Sequence, residues 1–264
     1  MKKKLSKKSL RLIDAQNFEI MSKTIIIIPS RLSATRLPKK PLLKINNFSI
    51  IQHVYKRAKE SAVGKVYVAT GDKEIAEDIK KINGEYILTK KKHKTGTDRI
   101  YEAYTKIKKK VDCKYIINLQ GDEPDIDIND LKHLNKLIES YKPEIGTLAS
   151  KIEDISNLDN ENIVKVITDI KITDKNFPIG LDFKRKVKNL NLNTYHHLGI
   201  YAYKPKILNQ LVNLEQTNNE IKNKLEQLRA IENEIKINVG LAKFCPIGVD
   251  TMEDYLALKK KIRI

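Results

Sequence analysis

The chain has 264 residues, 41% of them hydrophobic, enough for one large domain with a real core. No stretch approaches the roughly 18–20 apolar residues of a membrane span, so no stable membrane association is expected. The formal charge of +18 comes from lysines scattered through every segment beside many Asn and Ile; no RNA-recognition strand signature, cysteine/histidine finger or basic-zipper heptad accompanies it, and no nucleic-acid partner is expected.

Residues 1–21 read as a basic extension carrying Lys2, Lys3, Lys4, Lys7 and Lys8, without the apolar segment of a secretory signal. Either Met1 or Met21 serves as the start. A single domain is expected over residues 22–264. Its first strand runs from Ile25 to Ile28, a β-branched run with no polar alternation, so both faces should be covered as in a parallel sheet. The run stops at Pro29 and gives way to a polar loop with Arg31, Arg36, Lys39 and Lys40. That loop lies at the carboxyl end of the strand, where open α/β sheets place ligands.

The pattern then predicts a helix over 49–61, with Ile50, Ile51, Val54 and Ala58 on one face, and a strand over 65–69. A helix over 72–82, a strand over 86–88 and a helix over 98–109 with Ile100, Ala103 and Tyr104 inward come next. A strand over 115–119 ends at Gln120-Gly121-Asp122-Glu123-Pro124, and a helix covers 129–140. Alternating strands and helices argue for right-handed βαβ units in a mixed, mostly parallel α/β sheet. The second half is less regular. Strands are predicted over 146–149, 163–167, 197–203 and 234–239, and helices over 219–231 and 251–262, the last with Thr251 and Asp254 as an acidic capping box. Residues 168–196 are polar with little periodicity. Cys113 and Cys245 lie far apart and read as buried thiols of a reducing cytosol rather than a disulfide or metal pair.

Several motifs carry chemistry. Arg31, Arg36 and Lys40 suit a triphosphate, whose closely spaced oxygens call for guanidinium and ammonium donors; a solvated basic loop is the plainer reading. Asp122, held at the sheet edge after a buried strand, suits Mg²⁺, although Gly-Asp and Glu-Pro also favour turns. Asp250 could be the second carboxylate on that metal, or an acid favoured by a helix start. Lys94 to Arg99 could offer amides and hydroxyls to a base or phosphate, or simply cap a helix through Thr97. His197 by itself is more often structural, and Glu226, Gln227 and Arg229 by themselves more often solvated.

Taken in order, these segments resemble one family. They are Ile28-Pro29-Ser30-Arg31-Leu32-Ser33-Ala34-Thr35-Arg36-Leu37-Pro38, Val68-Ala69-Thr70, Thr95-Gly96-Thr97-Asp98-Arg99, Asn118 to Pro124, His197-Leu198-Gly199-Ile200-Tyr201, Leu225-Glu226-Gln227-Leu228-Arg229 and Gly248-Val249-Asp250-Thr251. Over roughly residues 22–262 the chain is similar to the 3-deoxy-manno-octulosonate (Kdo) cytidylyltransferases, or CMP-Kdo synthetases. The resemblance implies a nucleotide-diphospho-sugar transferase α/β fold and transfer of CMP from CTP to Kdo for lipopolysaccharide. It also implies Mg²⁺ as cofactor, a homodimer and a cytoplasmic location. It assigns Arg31 and Lys40 to the triphosphate and Asp122 and Asp250 to the metal, the four catalytic residues. Pro29, Ser30, Arg36, Ala69, Thr70, Asp72, Thr95, Gly96, Thr97, Arg99 and Gln120 are implied on the substrate side of the nucleotide. His197, Tyr201, Glu226 and Gln227 are implied toward the sugar acid, in a sugar-side and dimerisation subregion near 145–215.

Three departures stand out. Lys39 and Gly71 replace a usual glycine and a usual aspartate, although Asp72 follows the second. A Ser-Arg-x-x-Ile-Pro segment is missing between Val166 and His196, with Phe177-Pro178-Ile179 its nearest remnant. That change keeps a related acid sugar, such as 8-amino-Kdo or a sialic-like acid, open as the acceptor. A basic nucleic-acid-binding protein on an inactive transferase fold is the more distant alternative.

Overall fold

The computed structural model describes residues 23–33, 36–188, 190–243, 246 and 248–261. The expected extension over 1–21 and Cys245 lie outside the described residues. In chain order the elements are β1 (Thr24–Ser30), β2 (Lys44–Ile45), β3 (Phe48–Ser49), α1 (Ile50–Glu60), β4 (Lys65–Thr70), α2 (Lys73–Lys80), β5 (Tyr86–Leu88) and α3 (Gly96–Ile107). Then come β6 (Tyr115–Asn118), α4 (Ile128–Tyr141), β7 (Ile145–Ser150), β8 (Lys165–Thr168), β9 (Gly180–Lys184) and β10 (Thr194–Tyr203). The chain closes with α5 (Pro205–Asn213), α6 (Asn218–Asn223), α7 (Gln227–Glu232), β11 (Ile237–Leu241) and α8 (Met252–Lys261).

The main sheet runs β11-β7-β10-β6-β1-β4-β5, with β8 and β9 attached at β10. β1 lies parallel between β4 and β6, β5 is parallel to β4, and β11 is parallel to β7. β10 runs antiparallel between β6 and β7. The mixed, mostly parallel sheet expected from the alternation is therefore present. The unalternating run of β1 has a simple cause. Ile26 and Ile28 pack with Ile51 and Val54 of α1 and with Leu131 and Leu134 of α4. Ile25 and Ile27 face the other side, with Ile100 and Ala103 of α3 and Leu208 of α5. Helices cover both faces, so both sets of side chains are apolar.

The first half follows the predicted elements closely, and its helix starts explain why. Ser49 caps α1 through a reciprocal box with Gln52, and Thr95 caps α3 through one with Asp98. The expected cap at Thr97 is thus corrected: Thr97 lies inside the first turn. Ile100 and Ala103 are buried as expected, whereas Tyr104 is only half-buried, as is Cys113.

The second half departs more. The strand expected over 163–167 is β8, over 165–168, and the one expected over 234–239 is β11, over 237–241. The helix expected over 219–231 is two helices, broken where Lys224 takes a φ of 54°. α5 was not predicted, and neither was β9, in the middle of the aperiodic polar stretch. β9 pairs with β8 and is held partly by a buried charge rather than by apolar alternation. The ammonium of Lys165 is capped by the backbone carbonyls of Asn160 and Ile163, both at 2.8 Å, and of Arg185 at 2.5 Å. The remnant Phe177-Pro178-Ile179 is core and sheet edge: Phe177 fills the space left by Gly146 and Gly240, and Val239 N donates to Pro178 O at 2.8 Å.

Candidate active site

Three turns meet at the carboxyl edge of β1 and β6. The loop after β1 brings Arg36 and Lys40, the turn after β6 brings Asp122, and the approach to α8 brings Asp250. Lys40 Nζ donates to Asp122 Oδ2 at 2.7 Å and to Asp250 Oδ1 at 3.0 Å, and Arg36 Nη2 donates to Asp250 Oδ2 at 3.0 Å. Burial disfavours the charge on Lys40, but Asp122 first and then Asp250 outweigh it, and its pKa is raised.

Local structure explains this convergence. Val249 N donates to Asp122 O at 2.9 Å, which ties the two acidic turns together. Leu37, Ile45, Ile50, Val249 and Leu258 form a small core beneath them. Thr251 and Asp254 form the expected reciprocal cap at the start of α8, with bonds of 2.9 and 3.2 Å. Gly121 is required by close approach, since a Cβ there would lie 2.7 Å from Pro29 O. Lys40 opens a short 3₁₀ turn after Lys39, whose φ of 54° lies in the left-handed region. A glycine meets that conformation without strain, which accounts for the family's usual residue there; nothing in the structure explains the lysine. Gly71 has its own reason: a Cβ would lie 2.6 Å from Lys91 Cα. Asp72 accepts from Leu32 N at 2.9 Å and so holds the start of the cationic loop.

These turns wall a cleft of 460 Å³. Of the residues singled out in the sequence, Pro29, Ser30, Arg31, Arg36, Lys40, Thr95, Gly96, Arg99, Gln120, Asp122, Glu226 and Asp250 line it. Ala69, Thr70, Asp72, Thr97, His197, Tyr201 and Gln227 do not. Ala69 and Thr70 are buried in β4. Arg99 is also mostly spent on the protein, donating to Thr89 Oγ1 at 2.6 Å, Lys90 O at 3.0 Å and Lys91 O at 2.9 Å. Ser33, His93 and Gly121 line the cleft without having been singled out as site residues, and Lys94, which opens the loop read as a base or phosphate contact, lines it too. His93 sits in a lysine run that reads as solvated, so only its place just before the Lys94 to Arg99 loop could have marked it.

The opposite wall is built on buried polar groups. Thr97 Oγ1 donates to Glu226 Oε2 at 2.5 Å, and burial raises the Glu226 pKa despite that bond and the nearby Arg229. Glu226 is set by the break between α6 and α7, which a buried ion pair clamps. Arg229 Nε donates to Glu220 Oε2 at 2.8 Å and Nη2 to Glu220 Oε1 at 2.5 Å. Gln227 opens α7 beside Glu226. Between β7 and β10, the Thr147 hydroxyl donates to Ile200 O at 2.6 Å and so accepts from His197 Nε2–H at 3.0 Å. Burial pushes the His197 pKa down to about 3, keeping the ring neutral. The Tyr201 hydroxyl beside it is buried with no partner among the described residues, as is Ser30 Oγ in the cleft. Gln120 Nε2 donates to Gly199 O at 3.2 Å and joins the two walls. Below the acidic pair, Glu123 is pushed up to about 8 by burial and then by the charges of Asp122 and Asp250.

A mostly parallel sheet whose carboxyl edge holds a cationic loop facing two carboxylates suits a nucleotidyltransferase, and the comparisons with known proteins place the chain in that class. Residues 25–237 match the family model described as cytidylyltransferase. A 3-deoxy-manno-octulosonate cytidylyltransferase of Thermodesulfovibrio yellowstonii is 41% identical, over 90% of this chain and 97% of its own. One from Bartonella tribocorum is 38% identical over 89% and 97%. A solved structure of CMP:2-keto-3-deoxy-manno-octonic acid synthetase complexed with CTP superposes with a TM-score of 0.82 at 32% identity, covering 92% of this chain and 99% of that one. The chain belongs to the 3-deoxy-manno-octulosonate cytidylyltransferase family.

Proposed function

We propose that this enzyme transfers CMP from CTP to the anomeric 2-hydroxyl of 3-deoxy-manno-octulosonate, releasing pyrophosphate, for lipopolysaccharide synthesis. The observation that carries the reading is the convergence of Lys40, Asp122, Asp250 and Arg36 at the edge of β1, in a chain of this family. A bond forms between the hydroxyl oxygen and the α-phosphorus, and the bond to the leaving pyrophosphate breaks in line. Arg31, Arg36 and Lys40 offset the charge of the phosphates, and Ser30 Oγ supplies a hydroxyl donor in the same cleft. Positioning and electrostatics do the catalysis, so no covalent enzyme intermediate is expected.

Asp122 and Asp250 fit a magnesium ion. Both turn a carboxylate oxygen onto one cationic centre, and such hard oxygen donors suit a hard divalent cation. An ion on these two carboxylates would take its remaining oxygens from phosphate and water. When bound, such an ion offsets phosphate charge and lowers the pKa of the attacking hydroxyl. Glu226, Gln227, Tyr201 and His197 are assigned to the acceptor side, where Glu226 lines the cleft and the other three stand behind it. The altered 167–196 segment leaves a related acid sugar as the second reading.

The same reading includes a homodimer and a cytoplasmic location. The exposed Ile170, Leu181 and Leu192, at 55%, 55% and 80%, lie on and beside the β8–β9 hairpin and favour a covered face there. No helix among the described residues is long and apolar enough to cross a membrane. Incubation with CTP, Mg²⁺ and a panel of acid sugars, followed by pyrophosphate release, tests the activity. Kdo is expected to give the highest kcat/KM; turnover with 8-amino-Kdo or a sialic acid but not Kdo would replace the acceptor.

A further inference from the structure

The amino ends of the strands carry a charge pattern that the cleft does not use. β1, β4, β6, β7 and β11 all run one way, since β10 is antiparallel to both β6 and β7. Their first residues therefore share one edge, opposite the edge that holds the cleft. Across it, in strand order, stand Lys236, Glu144, Lys204, Lys114, Lys23 and Lys65. Backbone bonds fix the row: Ile145 N donates to Lys236 O at 3.3 Å, Lys204 N to Glu144 O at 3.2 Å and Lys114 N to Lys23 O at 2.6 Å. Neighbouring strands lie about 4.8 Å apart, so the row spans about 24 Å.

Helix ends deepen this basic edge. α2, α3 and α4 return to it and are followed by the exposed Lys81, Lys108 to Lys110 and Lys142. These have a local reason, because the dipole favours a cation at a helix carboxyl end. The strand row has none, and like charges on adjacent strands repel. Lys23, Lys65, Lys114 and Lys236 are nevertheless all exposed there. Among the described residues, the acids of this edge are Glu60, Glu85, Asp112, Glu144 and Glu234, too few to balance the lysines. Glu144 is turned onto Lys236 N at 3.0 Å, and Asp112 pairs with Lys23.

The chemistry of the row selects a partner. It is built from lysine, which offers point charges, and lacks the arginine forks and stacking planes that grip nucleic acid. Residues 1–22 join the chain at Lys23, within the row. Their sequence sets Lys2, Lys3, Lys4, Lys7, Lys8 and Arg11 among apolar residues such as Leu5, Leu10, Leu12, Ile13 and Phe18. Cations beside apolar side chains suit the headgroup boundary of an anionic bilayer. We propose that this edge docks the protein reversibly on an anionic phospholipid surface. The contact is peripheral and electrostatic and needs no spanning segment. The seven residues of β1 separate it from the cleft by about 23 Å, so the docked enzyme keeps the cleft open to solvent.

Co-sedimentation of the full chain with vesicles tests it, using phosphatidylcholine alone or with about one-third phosphatidylglycerol. Binding to the mixed vesicles and not to phosphatidylcholine is expected at about 0.05 M salt, with loss at about 0.5 M. The triple variant Lys65→Glu, Lys114→Glu, Lys236→Glu is expected to bind at least about tenfold more weakly, with its urea midpoint near that of wild type. Gln at the same three positions is expected to fall between, which separates charge from fold. The same charge change at Lys73, Lys132 and Lys222, exposed helix lysines away from this edge, is expected to cost less than about threefold. Equal loss in both Glu triples would leave net charge alone as the cause and overturn the proposal. So would equal binding to both kinds of vesicle, binding to neither, or tighter capture of a single-stranded RNA oligonucleotide than of mixed vesicles at the same salt.

Discussion

The two walls of the cleft are built on different principles. The nucleotide wall hangs from β1, β4 and β6 on short turns, and its charged groups reach one another directly. The wall proposed for the acceptor hangs from β10, α6 and α7, and its groups are held through a neutral buried histidine and a buried ion pair. The first can be rebuilt from local turns. The second depends on polar groups that are stable only when each finds its partner.

The strongest test of that contrast is Arg229→Ala. It leaves Glu220 buried without its bidentate partner and is expected to lower stability by about 3–5 kcal/mol, read from urea unfolding. A loss under about 1 kcal/mol would mean the acceptor wall does not rest on this pair. On the other wall, Asp122→Ala and Asp250→Ala are expected to fold and to lose kcat by about 10²–10³-fold each. Normal pyrophosphate release from either would sink its metal assignment.

pH separates the walls at smaller scale. Glu123 is raised from 4.5 to about 8, so its contribution to stability is complete below about 4.5 and is lost as pH rises through about 8. His197 is lowered from 6.5 to about 3, so the fold resists its protonation and loses stability as pH falls below 6.5 toward 3. Between about 4.5 and 6.5 the two slopes oppose. Unfolding followed against pH without added metal should show Glu123→Gln flattening the alkaline decline and His197→Gln the acid one. Each slope is at most about 1.4 kcal/mol per pH unit. A variant that leaves its limb unchanged removes that group from the account.

The smallest effect sharpens the loop itself. Lys39→Gly relieves a left-handed residue and is expected to add about 0.5 kcal/mol, read as a small rise in urea midpoint. A lower midpoint would show that the lysine side chain stabilises the turn.

Legibility followed the same division. Ile25–Ile28, the alternation through residue 141, and the turns bearing Lys40, Asp122 and Asp250 were readable because strand burial, helix caps and proline or glycine turns leave local patterns. β9 was hidden because it rests partly on Lys165, whose ammonium reaches Arg185 O twenty positions on as well as the nearby Asn160 and Ile163 carbonyls. The α6–α7 break was hidden because Lys224 takes a left-handed conformation that its residue type does not announce. His93 was hidden because a histidine in a lysine run looks solvated until Glu102 is brought against it.

The sequence by itself determined the α/β architecture of the first half, the family, and the acids and bases of the nucleotide wall, since each lies beside a strand end that local pattern marks. Only the tertiary structure decided which of them meet: that Lys40 bridges both acids, that Asp72 holds the loop rather than the cleft, that His197 is neutral and bonded to Thr147. Those outcomes depend on burial and on partners 40 to 210 positions away in the chain, and no local pattern encodes them.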